Sequence, residues 1–307
     1  MPSWQAELRA SSFLGPFYTG SPGCAAFHQR FVDSAQQRGE LLNYRARAFV
    51  GIWRVPEQKT THCIVHRGWQ DEGALAWAKS VLRDRIPEQD EGLEITLPVR
   101  DEALRQTLMD LGLGLNAVNL AGRVPLAYQR LMAAYPPQPI SGFTLRDLVP
   151  SDVDAVLAMR ERVFGAEPAY NVRANTADTQ ARVRATILRD DWVGLRQVVE
   201  VQGQLRGLIE SFRRPQCPHH ISSSSTGLML DTELRGMGIA KQAYRLILEN
   251  LMAHDIAWIK GTTGRPSVMH LGQVMGRGPT GVILRKSHTL PTQWFHDTLH
   301  PPSESGI

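Results

Sequence analysis

Leu228-Met229-Leu230-Asp231-Thr232-Glu233-Leu234-Arg235-Gly236-Met237-Gly238-Ile239-Ala240 is the stretch whose reading decides the fold. It begins as a short apolar strand, passes a tight turn, and opens through an arginine and two glycines into a helix that runs through Lys241 and Tyr244 to about Ala253. The junction is suited to an anion. A helix start leaves backbone N–H groups without intrahelical partners, and the helix dipole adds positive potential there. Gly236 and Gly238 carry no side chain that would hold a phosphate away from those N–H groups, and Arg235 adds a fixed charge.

Elements expected on either side of the stretch fall in a definite order. A strand at Phe143–Leu145 precedes a helix over Asp152–Val163, with Ser151 as its N-cap, and a second helix over Asp178–Arg189. Two strands, Trp192–Val201 and Gln204–Arg213, meet at the tight turn Gln202-Gly203. His220–Leu230 reads as one strand leading into the motif. Beyond the motif helix come a strand at Ala257–Gly261, a short helix at Ser267–Met275 and a last strand at Thr280–Arg285.

Arg235-Gly236-Met237-Gly238-Ile239-Ala240 fits the pattern Arg/Gln-x-x-Gly-x-Gly/Ala, and through it the chain resembles the GCN5-related N-acetyltransferase (GNAT) superfamily. The order β-α-α-β-β-β-α-β-α-β over about residues 143–286 is also the order of that superfamily. The resemblance implies an acyltransferase with acetyl-CoA, or another acyl-CoA, as co-substrate. Its diphosphate would lie on Arg235, Gly236, Met237, Gly238, Ile239 and Ala240. Backbone N–H groups of Leu228, Met229 and Leu230 would serve the thioester carbonyl and the pantetheine. Ser267 stands where family members commonly place an asparagine that contacts the pantetheine arm; its local reading is an N-cap.

The first half of the chain repeats the device. Without gaps, His62-Cys63-Ile64-Val65 falls on Gly227-Leu228-Met229-Leu230, Gln70 on Arg235, Gly73 on Gly238 and Ala78 on Ala243. Strands are expected at Arg45–Val55, Thr60–Val65, Gly92–Leu97 and Leu115–Val124. Helices are expected at Pro22–Gln37, Asp71–Arg85 and Asp101–Leu111, the last stopped by Gly112. In this copy Asp71 and Glu72 replace Gly236 and Met237. Each carboxylate would repel a phosphate by on the order of 1 kcal/mol in partly exposed surroundings.

The expected architecture is therefore α/β (α+β), with two GNAT-like units, each a mixed, mostly antiparallel twisted sheet flanked by helices. Residues 1–135 form a degenerate unit without a coenzyme site, which completes the acceptor cleft. Residues 136–142, with Pro136-Pro137-Gln138-Pro139, form a stiff linker, 143–290 the acyltransferase domain, and 291–307 a tail.

Acyl transfer from a thioester to an amine needs a polarised carbonyl, an uncharged amine and an acid for the leaving thiolate. Glu210, near a strand end, is one candidate base. His220, at the start of the motif strand and on one face with Ser222 and Ser224, is a candidate to bind the acceptor or to relay a proton through water. Many family members place a tyrosine acid four residues before the glycine that ends the later helix. Counting back from Gly276, that position holds Gly272. His270 is the nearby substitute, although its offset puts it on another helix face, and solvent is the alternative proton source.

Composition narrows the rest. With 307 residues, 42% hydrophobic and 21% charged, the chain is long enough for two ordinary cores. A formal charge of +4 suits anionic ligands but, without lysine-rich runs, gives no case for nucleic acid. Gly261-Thr262-Thr263-Gly264 matches the Gly-x-x-Gly of some RNA binders but lacks aromatic platforms beside it. Three scattered cysteines and the lack of an apolar leader or of an 18-residue apolar run point to a reducing cytoplasm, with no membrane span. Cys217-Pro218-His219-His220 has no second cluster at metal-ligand spacing, so no metal is expected. The partners expected are acyl-CoA and the amine of a small molecule; a homodimer is compatible with this. The alternatives are a GNAT-fold scaffold or sensor without turnover, or a GNAT-like enzyme with another acyl donor or an O-acyl acceptor.

Overall fold

The computed structural model describes residues 37, 41–44, 48–55, 60–67, 72–85, 93–99, 101–137, 142–165, 177–189, 194–213, 220–222 and 227–285. The expected helix over Pro22–Gln37 and the tail lie essentially outside these residues. In chain order the elements are β1 (Leu41–Tyr44), β2 (Ala48–Val55), β3 (Thr60–Arg67), α1 (Glu72–Arg85), β4 (Leu93–Pro98), α2 (Glu102–Asp110), β5 (Gly114–Arg123) and α3 (Val124–Ala134). Then follow β6 (Thr144–Asp147), α4 (Val153–Gly165), α5 (Ala177–Ile187), β7 (Arg196–Val201), β8 (Gln204–Glu210), β9 (Phe212–Arg213), β10 (His220–Ser222) and β11 (Leu228–Leu230). The last elements are α6 (Ile239–Ala253), β12 (Trp258–Thr263), α7 (Pro266–Val274) and β13 (Gly278–Arg285).

The chain divides into two compact units, which are not the contiguous halves expected from the proline-rich linker. One comprises residues 1–121, 262–272 and 278–307, the other 122–261 and 273–277. The reason is a strand pairing that no local signal announces. In the first unit the strands hydrogen-bond in the order β1-β2-β3-β4-β13-β5, so the last strand of the chain enters between β4 and β5. Ile283 of β13 stands opposite Thr96 on one side and Ala117 on the other. Its neighbours Val282 and Leu284 are fully buried with Leu93, Ile95 and Leu97 of β4. Those three alternate inward along the strand, as a half-buried strand requires. An ion pair between Arg285 and Glu94, Nε to Oε2 at 2.8 Å, holds the strand's end.

Helices α1 and α2 give this unit its second layer through Ala78, Leu82, Leu104 and Leu108, all essentially inaccessible. The start of α2 is fixed by Asp101, whose buried side chain accepts from the Leu104 amide at 3.3 Å. Gly112, at φ 88°, follows its end.

The second unit holds a four-stranded antiparallel sheet in the order β11-β8-β7-β6, while β12, β10 and β9 pair in that order. The β7–β8 hairpin turns at Gln202 (φ 51°) and Gly203 (φ 73°), the left-handed pair that a two-residue hairpin demands. Val153, Val156, Met159 and Val163 of α4 cover this sheet, packing on Val198, Leu208 and Met229. Ser151 does not cap α4; Pro150–Asp152 form a 3-10 turn ahead of it, and Asp152 takes the polar role. Its oxygens accept from Arg146 at 2.7 and 2.8 Å and from the Val149 amide at 2.9 Å. The Arg146 guanidinium holds the Asp152 carboxyl below the usual carboxylate range, against the opposing effect of burial. Helix α3 lies where sequence reading placed only the end of a segment. Pro125 in its first turn marks its start, and Val124, Ala127 and Leu131 bury its inner face.

Candidate functional site

Sequence reading makes residues 220–230 one strand; the structure divides it. β10 pairs parallel with β12 and antiparallel with β9, whereas among the described residues β11 pairs only with β8. β11 is thus the edge strand of its sheet, and the phase of the ladder says which amides it leaves open. The Glu210 amide donates to the Gly227 carbonyl at 2.9 Å and the Asp231 amide to the Arg206 carbonyl at 2.8 Å. Hydrogen-bonded pairs alternate along an antiparallel ladder. Met229 shares the phase of Gly227 and Asp231, so its N–H faces Leu208, while those of Leu228 and Leu230 face the open edge. Of the three backbone donors expected here, Leu228 and Leu230 point away from β8 and Met229 points toward it. Met229 instead fills the core with its side chain.

Past β11 the chain makes a 3-10 turn over Thr232–Leu234 and then passes Arg235, Gly236 and Gly238 into α6. Gly236 (φ 82°) and Gly238 (φ 80°) both take the left-handed conformation that side chains disfavour. A Cβ on Gly236 would meet nothing within 4 Å, so the space beside its backbone is open to an approaching group. Lys241 and Gln242 donate to the Gly238 carbonyl at 3.0 and 3.2 Å, as the first turn of α6 closes. The amides of Ile239 and Ala240 come ahead of that turn, at the positive end of a 15-residue helix. Arg235, Gly236 and Met237 are exposed; Ile239 is buried and anchors the turn to the core with Ala243, Ile247 and Leu251. The residues present fit a diphosphate.

A network that sequence reading missed holds this turn in place. Asp231, only 4% exposed, accepts at one oxygen from Arg162 of α4 (Nη2 at 3.0 Å) and Arg206 of β8 (Nη1 at 3.1 Å). Arg206 also pairs with Glu233 at 3.2 Å. The carboxylate ties the end of β11 to a helix and a neighbouring strand immediately before the cradle. Its partners lie 69 and 25 positions away, so no local pattern announces them.

The other expected site residues are dispersed. Glu210 is not an exposed strand carboxylate: it is 2% exposed, and its Oε1 accepts from Arg196 Nε at 3.1 Å. Arg160 is buried nearby; burial lowers its pKa, with attraction to Glu210 opposing. His220 and Ser222 are the ends of β10, and Ser224 falls outside the described residues. His270 and Ser267 are exposed on α7, which belongs to the first unit, and Gly272 is buried on the same helix. Ser267 sits inside the first turn of α7, after Pro266, rather than ahead of it as an N-cap. Among the described residues no group of three or more His, Cys, Asp or Glu is placed to hold a metal ion. No helix among them is long and apolar enough to cross a membrane.

The fold built around this split strand recurs in solved structures. A GCN5-related N-acetyltransferase from Kribbella flavida superposes on 85% of this chain and 96% of its own, with a TM-score of 0.52 at 13% identity. The chain has the GNAT fold. A GCN5-related N-acetyltransferase from Sphaerobacter thermophilus matches it over 80% of this chain and 79% of its own, with a TM-score of 0.50 at 15% identity. Neither a family model nor a curated protein matches the sequence. At such low identity the GNAT likeness rests on element order and geometry, and the chemistry must be argued from the residues of the cradle.

Proposed function

We propose that the protein is an acyl-CoA-dependent N-acyltransferase, most simply using acetyl-CoA, that acylates a primary amine of a small molecule by direct attack on the thioester. One observation carries the reading: the open edge of β11 leads straight into a glycine turn and a helix start, within a GNAT fold. The amides from Gly236 to Ala240, with the α6 dipole and Arg235, would hold the diphosphate. Coenzyme A supplies the activated acyl group as a thioester. The Leu228 and Leu230 amides would orient the pantetheine and polarise the carbonyl oxygen, where charge develops as the amine attacks. The C–N bond forms, the C–S bond breaks, and the amine's proton leaves. His220, at the start of β10, is assigned to accept that proton; Glu210 is engaged by Arg196. Solvent serves the thiolate, because Gly272 offers no acid.

The first unit has a different role in this reading. There β3 pairs with β2 along its length and with β4 over Thr61–Ile64, so Cys63 and Ile64, which match Leu228 and Met229, are paired on both sides. Together with Asp71 and Glu72, this supports a unit that binds no coenzyme and serves the acceptor side.

Calorimetric titration with acetyl-CoA, and thiol release with a panel of amines, test the proposal. Saturable binding that Arg235→Glu weakens at least about tenfold is expected, with thiol release that depends on the amine. No binding, or binding indifferent to Arg235→Glu, contradicts it. The buried Glu210–Arg196 pair and Gly272 favour one second reading, a sensor that binds acyl-CoA without turnover. Binding without thiol release for any amine would select it.

A further inference from the structure

Among the described residues one methionine differs from the rest. Met237 is 51% exposed, whereas Met159, Met229, Met269 and Met275 are buried and Met109, Met132 and Met252 are partly buried. A thioether in water reacts with peroxides, while packing shields one in a core. The place of Met237 in the chain gives that reactivity a consequence. It lies between Gly236 and Gly238, both in the left-handed conformation, so its thioether is the one side chain carried by the turn into α6. Arg235 and Gly236 beside it are exposed, and the space where a Cβ of Gly236 would stand is open, so a small oxidant has access to the turn. Immediately after it come the Ile239 and Ala240 amides, at the positive end of a 15-residue helix. The Arg-x-x-Gly-x-Ala pattern leaves position 237 open, so nothing in that signature calls for a sulfur there.

We infer that Met237 is a redox modification site, at which a peroxide converts the thioether to a sulfoxide that blocks the cradle. The inference rests on the coenzyme reading of that cradle. The sulfur gives an electron pair to one peroxide oxygen: the S–O bond forms, the O–O bond breaks, and the other oxygen leaves as water with both hydrogens. A thioether competes weakly for hydrogen bonds, whereas a sulfoxide oxygen carries partial negative charge and accepts them well. On a flexible, unbranched side chain that oxygen turns to the start of α6, where the helix dipole and the leading amides favour it. It then holds the donors that the diphosphate needs. A reductase that draws on a dithiol removes the oxygen as water, leaves a disulfide in the reductant and returns the thioether, so the block is reversible. A diphosphate already in place covers the turn and protects the sulfur.

Hydrogen peroxide applied to the full-length protein, with and without saturating acetyl-CoA, followed by peptide mass spectrometry and calorimetry, tests the inference. Met237 is expected to gain an oxygen at least about tenfold faster than any buried methionine, and bound acetyl-CoA to slow that gain at least about fivefold. The oxidised protein should bind acetyl-CoA about five- to tenfold more weakly, and methionine sulfoxide reductases with dithiothreitol should restore the affinity. Met237→Leu removes the sulfur, so its affinity after the same exposure should stay within about twofold of its own untreated value. Failure of Met237 to oxidise ahead of the others, a sulfoxide there that leaves affinity unchanged, or a loss of affinity that persists in Met237→Leu overturns the inference and leaves the cradle standing. Untreated protein that binds no acetyl-CoA would instead refute the cradle itself, and the inference with it.

Discussion

Two strand-to-helix junctions that the sequence aligns with each other, β3 to α1 and β11 to α6, differ in what their strands touch. In the first copy β3 runs unbroken for eight residues into the segment before α1. Cys63 stands between Ile52 on one edge and Ile95 on the other, so its backbone is enclosed in the sheet. In the second copy the equivalent residue is Leu228, which begins a three-residue strand paired on one side only among the described residues. The comparison teaches that the sequence signature is half of a site. A glycine turn at a helix start can hold a diphosphate, but a thioester also needs backbone donors beside it, and only a strand that leaves its sheet supplies them.

The largest expected effect distinguishes the copies by a single charge. Gly238→Glu puts a carboxylate and a strained left-handed residue into the second cradle, and should lower acetyl-CoA affinity by about 100-fold in calorimetry. Gly73→Glu, at the matching position and exposed on α1, should leave affinity within about twofold. Losing affinity in the second variant would mean that the first copy is in use.

Restoring the first signature sharpens the comparison further. Changing Gln70→Arg, Asp71→Gly and Glu72→Met together gives the first copy Arg-Gly-Met-Gly as in the second, yet Cys63 and Ile64 of β3 stay paired on both sides. Calorimetric stoichiometry should remain one acetyl-CoA per chain. A second bound equivalent would show that charge, and not strand pairing, disabled the first copy.

Asp231→Ala should weaken coenzyme binding by about five- to twentyfold and lower stability to chemical denaturation by about 1–3 kcal/mol. It leaves Arg162 and Arg206 without their shared acceptor. Asp231→Asn should restore part of the binding, since the amide oxygen still accepts a hydrogen bond.

The smallest effect separates the sheet's frame from the cradle. The Asp152 carboxyl is held below its unfolded value by Arg146, so its contribution to stability is present above about pH 4 and is lost as pH falls through the lowered folded-state value. Asp152→Asn should cost about 1 kcal/mol near neutral pH, flatten acid unfolding below about pH 4, and leave acetyl-CoA affinity unchanged.

What was legible in the sequence was local. The amphipathic helix α6 with its glycine start, the hairpin at Gln202-Gly203 and the stop of α2 at Gly112 all follow from side-chain spacing and backbone preference. The repeat is a reading of the sequence, which keeps strand, helix, glycine and strand in order in both copies. Partner choice between strands was not. Nothing in Gly278–Arg285 says that it enters between β4 and β5, since an apolar strand fits any sheet that matches its alternation. The division of residues 220–230 was hidden for the same reason. The burial of Glu210 against Arg196 from a neighbouring strand, and the hold of Asp231 by arginines from α4 and β8, come from partners that no local pattern announces.

Hydrogen–deuterium exchange of the full-length protein, with and without saturating acetyl-CoA, tests the central claim most directly. The account predicts slowed exchange at Leu228, Leu230 and the amides from Gly236 to Ala240, with no change over residues 60–75. Protection over 60–75, or none over 228–240, would contradict it.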